Sequence, residues 1–299
     1  MRAVFLGSKA LGLDVARILR SAAGHLDWAI LHPDDRRDAR SALAEFSHWA
    51  EAEHLPFHLV GSRAEARECL TALRPEIAFV CGWYWLLDAD ILALAPKGFF
   101  GLHNSLLPRY RGGAPLVWSI LEGEPWVGGT VFRLTPGMDD GDILLQVKVA
   151  NTPEDDVASL LDKILAELAK ALTPAWAELV EGRAVLTPQN QSEATIVPQR
   201  KPEDGRIDWT QPAARLHDFI RAQAPPYPGA FAEWNGRRVH VLKTQPISAP
   251  TQAPPGHIIA MDSDGVLIGC GGGTVLRLLR LTVAGNPITG ADLVAIATE

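Results

Sequence analysis

The feature that most constrains this chain is an alternation in its first half between short apolar runs and segments with helical spacing. Residues 3–6, 28–31 and 77–80 are apolar throughout rather than apolar on every second position, and 57–60 and 99–103 are interrupted only by His58 and the terminal His103. Strands of that kind are buried on both faces, which is the habit of a parallel sheet covered by helices. The intervening residues fit: Leu11, Val15, Ile18 and Leu19 recur at helical spacing, and residues 42–54 and 63–73 read as helices. The expected class is α/β with a Rossmann-like, mostly parallel sheet. Ligands of such sheets bind beyond the carboxyl ends of the strands. His103 and the loop after Val80 both fall at such ends.

The rest of the chain changes texture. Residues 131–134 and 143–149 read as strands, and residues 155–181 as a long helix with Val157, Leu160, Leu161, Ile164, Leu165 and Leu168 along one stripe. Residues 183–204 turn polar and contain Pro188, Pro198 and Pro202. The expected division is a catalytic domain over 1–185, a linker over 186–204 and a C-terminal domain over 205–299. In the last part, a helix over 213–222 is followed by short strands over 231–234, 239–243, 256–261, 266–270 and 275–281. Asn235-Gly236 marks a hairpin, because a type I′ turn needs positive φ at both central residues. Short strands with glycine turns predict a small β-barrel of the OB type.

Composition excludes several classes. Net charge is −7, and residues 201–299 balance acids against bases, so neither half carries the basic excess of a phosphate-backbone binder. Cys69, Cys81 and Cys270 are scattered and form no CxxC, which predicts a reduced, cytoplasmic setting without structural zinc. No stretch reaches the length of a membrane span, and residues 2–6 are too short for a signal h-region. His48, His54 and His58 lie on one helix and a following strand, which does not bring them together, so no metal is expected.

Three segments could carry chemistry. Residues 98–113 place His103 at a strand end, then Asn104, Ser105, Pro108, Arg109, Arg111 and the pair Gly112-Gly113. An imidazole there can move a proton near neutral pH or donate to a developing oxyanion, and the arginines suit an anionic substrate group. A strand followed by a solvated loop is the plainer reading. Residues 135–142 gather Gly137, Met138, Asp139, Asp140, Gly141 and Asp142, where mutual repulsion between carboxylates can produce a general base. A polar turn is the alternative, and the calcium-loop spacing is missing. Trp83, Tyr84, Trp85 and Leu86 follow a buried strand, where aromatics either stack on a flat heterocycle or fill the core.

Taken together, these residues resemble the formyltetrahydrofolate-dependent formyltransferases. That family's pattern is Asn-x-His-x-Ser-Leu-Leu-Pro with an Arg-Gly loop, then an aspartate in Gly-x-Asp-x-Gly-Asp some 36 residues after the histidine. His103-Asn104-Ser105-Leu106-Leu107-Pro108 and Gly137-Met138-Asp139-Asp140-Gly141-Asp142 match it. The resemblance implies 10-formyltetrahydrofolate as formyl donor and no metal, with Trp83, Tyr84, Leu86, Gly137, Met138 and Asp142 as its pocket. It implies His103, Asp139 and Asn104 as catalytic residues, and Ser105, Arg109, Arg111, Gly112 and Gly113 as acceptor contacts. Residues 200–204 and 226–231 are worded more like the amino-sugar branch, and the acids at 34, 35 and 38 stand where tRNA enzymes carry a basic loop. The expected acceptor is therefore the primary amine of a nucleotide-linked amino sugar, ahead of methionyl-tRNA, with a homodimer as a further arrangement. One position departs: Gly101 stands where the family has its asparagine. That departure keeps formyltetrahydrofolate hydrolysis and non-catalytic folate or nucleotide binding as alternatives.

Overall fold

The computed structural model describes residues 1–298 and divides into two compact units. The first comprises residues 1–115, 128–149 and 162–197; the second comprises 116–127, 150–161 and the chain from 198 onward. In chain order the elements begin β1 (Arg2–Gly7), α1 (Lys9–Ala22), β2 (Asp27–Pro33), α2 (Leu43–Ala52), β3 (Phe57–Val60), α3 (Arg63–Leu73), β4 (Ile77–Cys81), α4 (Ala89–Leu92) and β5 (Phe99–His103). They continue with β6 (Arg111–Gly112), α5 (Pro115–Leu121), β7 (Trp126–Arg133), β8 (Ile143–Ala150), α6 (Val157–Val180) and β9 (Ile196–Val197). The last are α7 (Ala213–Arg221), β10 (Ala230–Trp234), β11 (Arg237–Ile247), β12 (Ile258–Met261), β13 (Val266–Cys270), β14 (Thr274–Val283), β15 (Asn286–Ile288) and α8 (Gly290–Thr298).

The main sheet of the first unit has the order β3-β2-β1-β4-β5-β7-β8. Strands β1 to β5 are mutually parallel, and β7 runs antiparallel to β5. The order reverses between β1 and β4, so the crevice for ligands opens there, beyond the carboxyl ends of the strands. On one face, Trp176 of α6 is fully buried, with ring centroids 5.6 Å from Phe79, 6.3 Å from Phe100 and 6.4 Å from Trp28. On the other, Val4, Leu6, Ala29, Leu31, Ala78 and Phe99 pack with Leu70 and Ile91. The sheet is thus covered on both sides, as its unbroken apolar strands require. Helix α3 starts where Ser62 accepts a bond from the Glu65 N–H, while the Glu65 carboxylate accepts from the Gly61 N–H.

The second unit holds a six-stranded antiparallel sheet in the order β10-β11-β14-β13-β12, with β15 beside β14. Asn235 and Gly236 turn the β10–β11 hairpin at φ 46° and 73°, the left-handed values the dipeptide was expected to supply. Val239, Val241, Ile268, Leu276 and Leu278 close its core with Leu216 and Ile220 of α7.

Gly7 shows how tightly β1 and β4 meet. A Cβ there would lie 2.1 Å from the Cys81 carbonyl oxygen. Gly7→Ala should destabilise the protein by roughly 1–3 kcal/mol in urea unfolding, as overpacking does. Gly61→Ala, whose Cβ would meet only the flexible Glu65 side chain at 3.7 Å, should leave stability nearly unchanged. Equal midpoints for the two variants contradict this packing.

Candidate active site

Strand β5 ends at His103, and β7 pairs it there, with His103 opposite Thr130. Thr130 is fully buried and staples the following loop. Its hydroxyl donates to the Ser105 carbonyl (2.7 Å) and accepts from the Leu107 N–H (3.2 Å) and the Gln146 amide (2.9 Å). The Ser105 hydroxyl donates to the Arg109 carbonyl at 2.7 Å, closing the turn that contains the cis Leu107–Pro108 peptide. The turn brings the Tyr110 carbonyl to 2.7 Å from His103 Nε2. A carbonyl only accepts, so Nε2 carries a proton. In the neutral ring the other nitrogen, Nδ1, is then a lone-pair acceptor. It faces Asp139, whose Oδ2 is 3.7 Å away.

Asp139 is held as firmly. It sits at φ 50° on the β7–β8 loop. Its Oδ2 accepts the Gly112 N–H at 2.8 Å. Its carbonyl accepts from the Gln189 amide at 2.8 Å, and the same nitrogen donates to the Gly141 carbonyl at 2.7 Å. The Gln189 oxygen accepts from Arg111 at 2.6 and 3.2 Å, and both side chains are buried. The three carboxylates of this loop are separated by their partners rather than pressed together. Asp140 accepts from the Thr135 hydroxyl, and Asp142 is exposed.

His103 and Asp139 line one cavity of about 250 Å³. Its walls are Val80, Trp83, Trp85, Leu87, Leu92, Phe132 and Leu134, with Gly101, Leu86, Thr135 and Gly137 at other points of the lining. The Trp83 indole N–H is buried without a hydrogen-bond acceptor. A cleft with apolar and aromatic walls suits a flat heterocycle. At Gly101 a Cβ would lie 3.1 Å from Leu134 and 3.3 Å from the Val80 carbonyl, so Leu134 occupies the space a side chain would need. The neighbouring thiol is not a nucleophile, because burial pushes Cys81 up to about 12.

Several residues singled out in the sequence lie elsewhere. Asn104 follows the strand end, its Oδ1 is buried without a partner, and it is not part of the cavity lining. Arg111 is consumed by Gln189, whereas Arg109 is exposed and lies over the Tyr110 ring at 5.2 Å. Gly112 binds Asp139 and Gly113 donates to the Val197 carbonyl. Met138 is 56% exposed. Tyr84 does not line the cavity. Its hydroxyl meets Lys9, Asp35 (3.1 Å) and Asp38 (3.0 Å). Lys9 Nζ lies 3.0 Å from Asp35 and 2.8 Å from Asp38, so the loops after β1, β2 and β4 are knotted together at the crevice. Tyr110, Thr130, Gln189 and Lys9 were missed as site builders. Their contributions run through a carbonyl or through tertiary bonds, which leave no mark in residue type.

The comparisons with known proteins identify the family. A family model described as "Formyl transferase" matches residues 30–175, and one described as "Formyl transferase, C-terminal domain" matches residues 200–297. The chain is 36% identical to methionyl-tRNA formyltransferase of Anaeromyxobacter sp. (strain K), over 97% of this chain and 95% of that protein. This chain belongs to the formyltransferase family. It is 34% identical to the methionyl-tRNA formyltransferase of Solibacter usitatus, over 98% of this chain and 94% of that protein. Among solved structures, HypX from Aquifex aeolicus in complex with tetrahydrofolic acid aligns at a TM-score of 0.70 and 17% identity, covering 100% of this chain and 48% of that one. The sugar 3N-formyltransferase WlaRD aligns at 0.70 and 13%, covering 93% and 97%. These structural likenesses carry the fold. The chain is therefore an enzyme of formyl transfer, and among the described residues no helix is long and apolar enough to cross a membrane and no cluster could hold a metal ion.

The knot beside the crevice has a pH signature. Bonds from Arg40 first, then from Lys9 and Tyr84, hold the Asp38 carboxyl far below its usual range. Burial works to raise Asp35, but bonds from Ser41 and Lys9 outweigh it and leave it lowered. Unfolded aspartates titrate near about 3.9. The stabilisation is therefore complete above that value and is lost as pH falls through it toward the folded values. Urea-unfolding free energy should fall steadily from about pH 5 to pH 2, and Asp38→Asn should flatten the fall. An identical slope in the variant contradicts the assignment.

Proposed function

We propose that this enzyme moves the formyl group of 10-formyltetrahydrofolate to the α-amine of methionyl-tRNA. The observation that carries formyl transfer is the His103–Asp139 pair at the mouth of an aromatic cavity, with Nδ1 directed at the carboxylate and Nε2 tied back to Tyr110. The acceptor rests on likeness along the whole chain, both units included, to relatives named for methionyl-tRNA. That likeness supports tRNA over the nucleotide sugar expected from residues 200–204 and 226–231. One observation favours the sugar as a second reading: Asp34, Asp35 and Asp38 draw Arg36, Lys9 and Arg40 into internal pairs, which lowers the charge available for a phosphate backbone.

The apolar and aromatic walls of the pocket suit the donor's flat heterocycle. His103 receives the proton of the attacking amine at Nδ1, where Asp139 stabilises the imidazolium. The resulting Nδ1–H stands ready to donate to the oxyanion or to the departing nitrogen. The Tyr110 carbonyl keeps the ring from flipping its tautomer. A cytoplasmic setting fits the three unpaired cysteines.

The test incubates purified enzyme with 10-formyltetrahydrofolate and, separately, methionyl-tRNA, nucleotide-linked amino sugars or buffer alone. Formyl-methionyl-tRNA should accumulate, and His103→Ala should lower kcat by at least about 100-fold. Formylated sugar alone supports the second reading, formate release without acceptor means hydrolysis, and donor binding without turnover means a non-catalytic protein.

A further inference from the structure

Gln189 lies in a stretch whose prolines and polarity suggested a linker, yet it is buried and all of its amide capacity is used. Its nitrogen donates to the carbonyls of Asp139 (2.8 Å) and Gly141 (2.7 Å), and its oxygen accepts from Arg111 at 2.6 and 3.2 Å. The two partners belong to different loops. Arg111 continues the loop whose Tyr110 carbonyl orients His103, and Asp139 faces His103 from the other side.

The bonds flanking Gln189 repeat the pattern. Thr187 bridges Ile143 just past the 135–142 loop. Thr195 accepts the Tyr110 N–H on its hydroxyl (2.8 Å) and the Arg111 N–H on its carbonyl (2.9 Å), and its own N–H donates to the Pro108 carbonyl (3.2 Å). Ile196 and Val197 then pair with Arg111 and Gly112 as a short parallel ladder. Residues 187–197 therefore form a strap across both loops, and the Gln189 side chain reaches the two together.

We propose that Gln189 is a positioning residue for the catalytic pair, fixing Asp139 against His103 through the strap. A side-chain amide suits this place for a definite reason. The carbonyls of Asp139 and Gly141 need a donor, and the Arg111 guanidinium needs an acceptor. No apolar, acidic or basic side chain offers both at once. Gln189 touches neither the cavity nor His103, so its effect must appear in the chemical step and not in donor binding. The inference rests on the formyl-transfer reading of the site but not on which acceptor is used.

The test compares full-length Gln189→Leu and Gln189→Glu with wild type. Leu removes every bond at near-constant volume. Glu keeps an acceptor for Arg111 and loses the donor to the 139–141 loop. Both variants should lower kcat about 10- to 100-fold, since misplacing a reacting group by about 1 Å can cost about 100-fold. KM for 10-formyltetrahydrofolate should stay within about twofold, since uniform binding is untouched. Rates are taken per folded molecule, judged by tetrahydrofolate binding. Unchanged kcat in both variants overturns the proposal. So does a loss that vanishes after correction for the folded fraction, or one confined to KM. If wild type turns over none of the acceptors, the formyl reading fails by itself. A crystal structure of Gln189→Leu still decides the positioning role. Asp139 Oδ2 should leave its place 3.7 Å from His103 Nδ1 and release the Gly112 N–H, and an unmoved Asp139 overturns the role.

Discussion

The hydrogen bond from His103 Nε2–H to the Tyr110 carbonyl is the contact on which the rest of the site depends. It uses one ring nitrogen as a fixed donor and leaves the other to face Asp139 and the cavity. Holding that carbonyl in place takes a whole loop. The Ser105 hydroxyl closes the turn, Thr130 staples it to β7, and Thr195 and Val197 pair with its far side. The sheet beneath supplies the rigidity. Trp176 fills the space against Phe79 and Phe100, so β4 and β5 cannot slide where the loops leave them.

Much of this was legible in the sequence, for reasons that can be named. Strands β1, β2 and β4 carry unbroken apolar runs at residues 3–6, 28–31 and 77–80 because both faces of the sheet are covered, and that pattern separates a parallel sheet from a half-exposed one. Asn235-Gly236 announced its turn because so few residues accept positive φ at both positions. His103 and Asp139 stood out because their residue types and their separation both carry chemistry. The pair strand of β6 and β9 was not legible, since two-residue ladders have no periodicity to read. Gln189 was hidden for a similar reason. A glutamine among prolines reads as a solvated linker, and only tertiary contacts reveal that it is buried. Tyr84 reads with its neighbours as a pocket residue, but its hydroxyl bonds to Lys9, Asp35 and Asp38 instead, tertiary contacts that residue type does not announce.

The acceptor question turns on charge more than on shape. Family membership supplies the formyl-donor side of the reaction. On the acceptor side, Arg111 builds the loop and Arg109 remains exposed beside Tyr110. The segment after β2 folds its acids and bases against one another, and Lys9, which stands at the crevice, is neutralised by two carboxylates. Gly101 adds a local difference, because Leu134 fills the space where the family pattern has a polar side chain. In the mechanism proposed above, His103 and Asp139 carry the proton traffic of the reaction, so the state of the His103 ring is what most directly tests it.

That state can be read directly. Nitrogen-15 NMR of the histidine side chains, with His103 assigned by comparison with His103→Ala, distinguishes a protonated nitrogen from a lone-pair nitrogen in the neutral ring. The geometry predicts the Nε2–H tautomer, with Nδ1 unprotonated and facing Asp139. A neutral ring found with its proton on Nδ1 contradicts the account, because the Tyr110 bond could then not exist and the proposed proton acceptor would already be occupied.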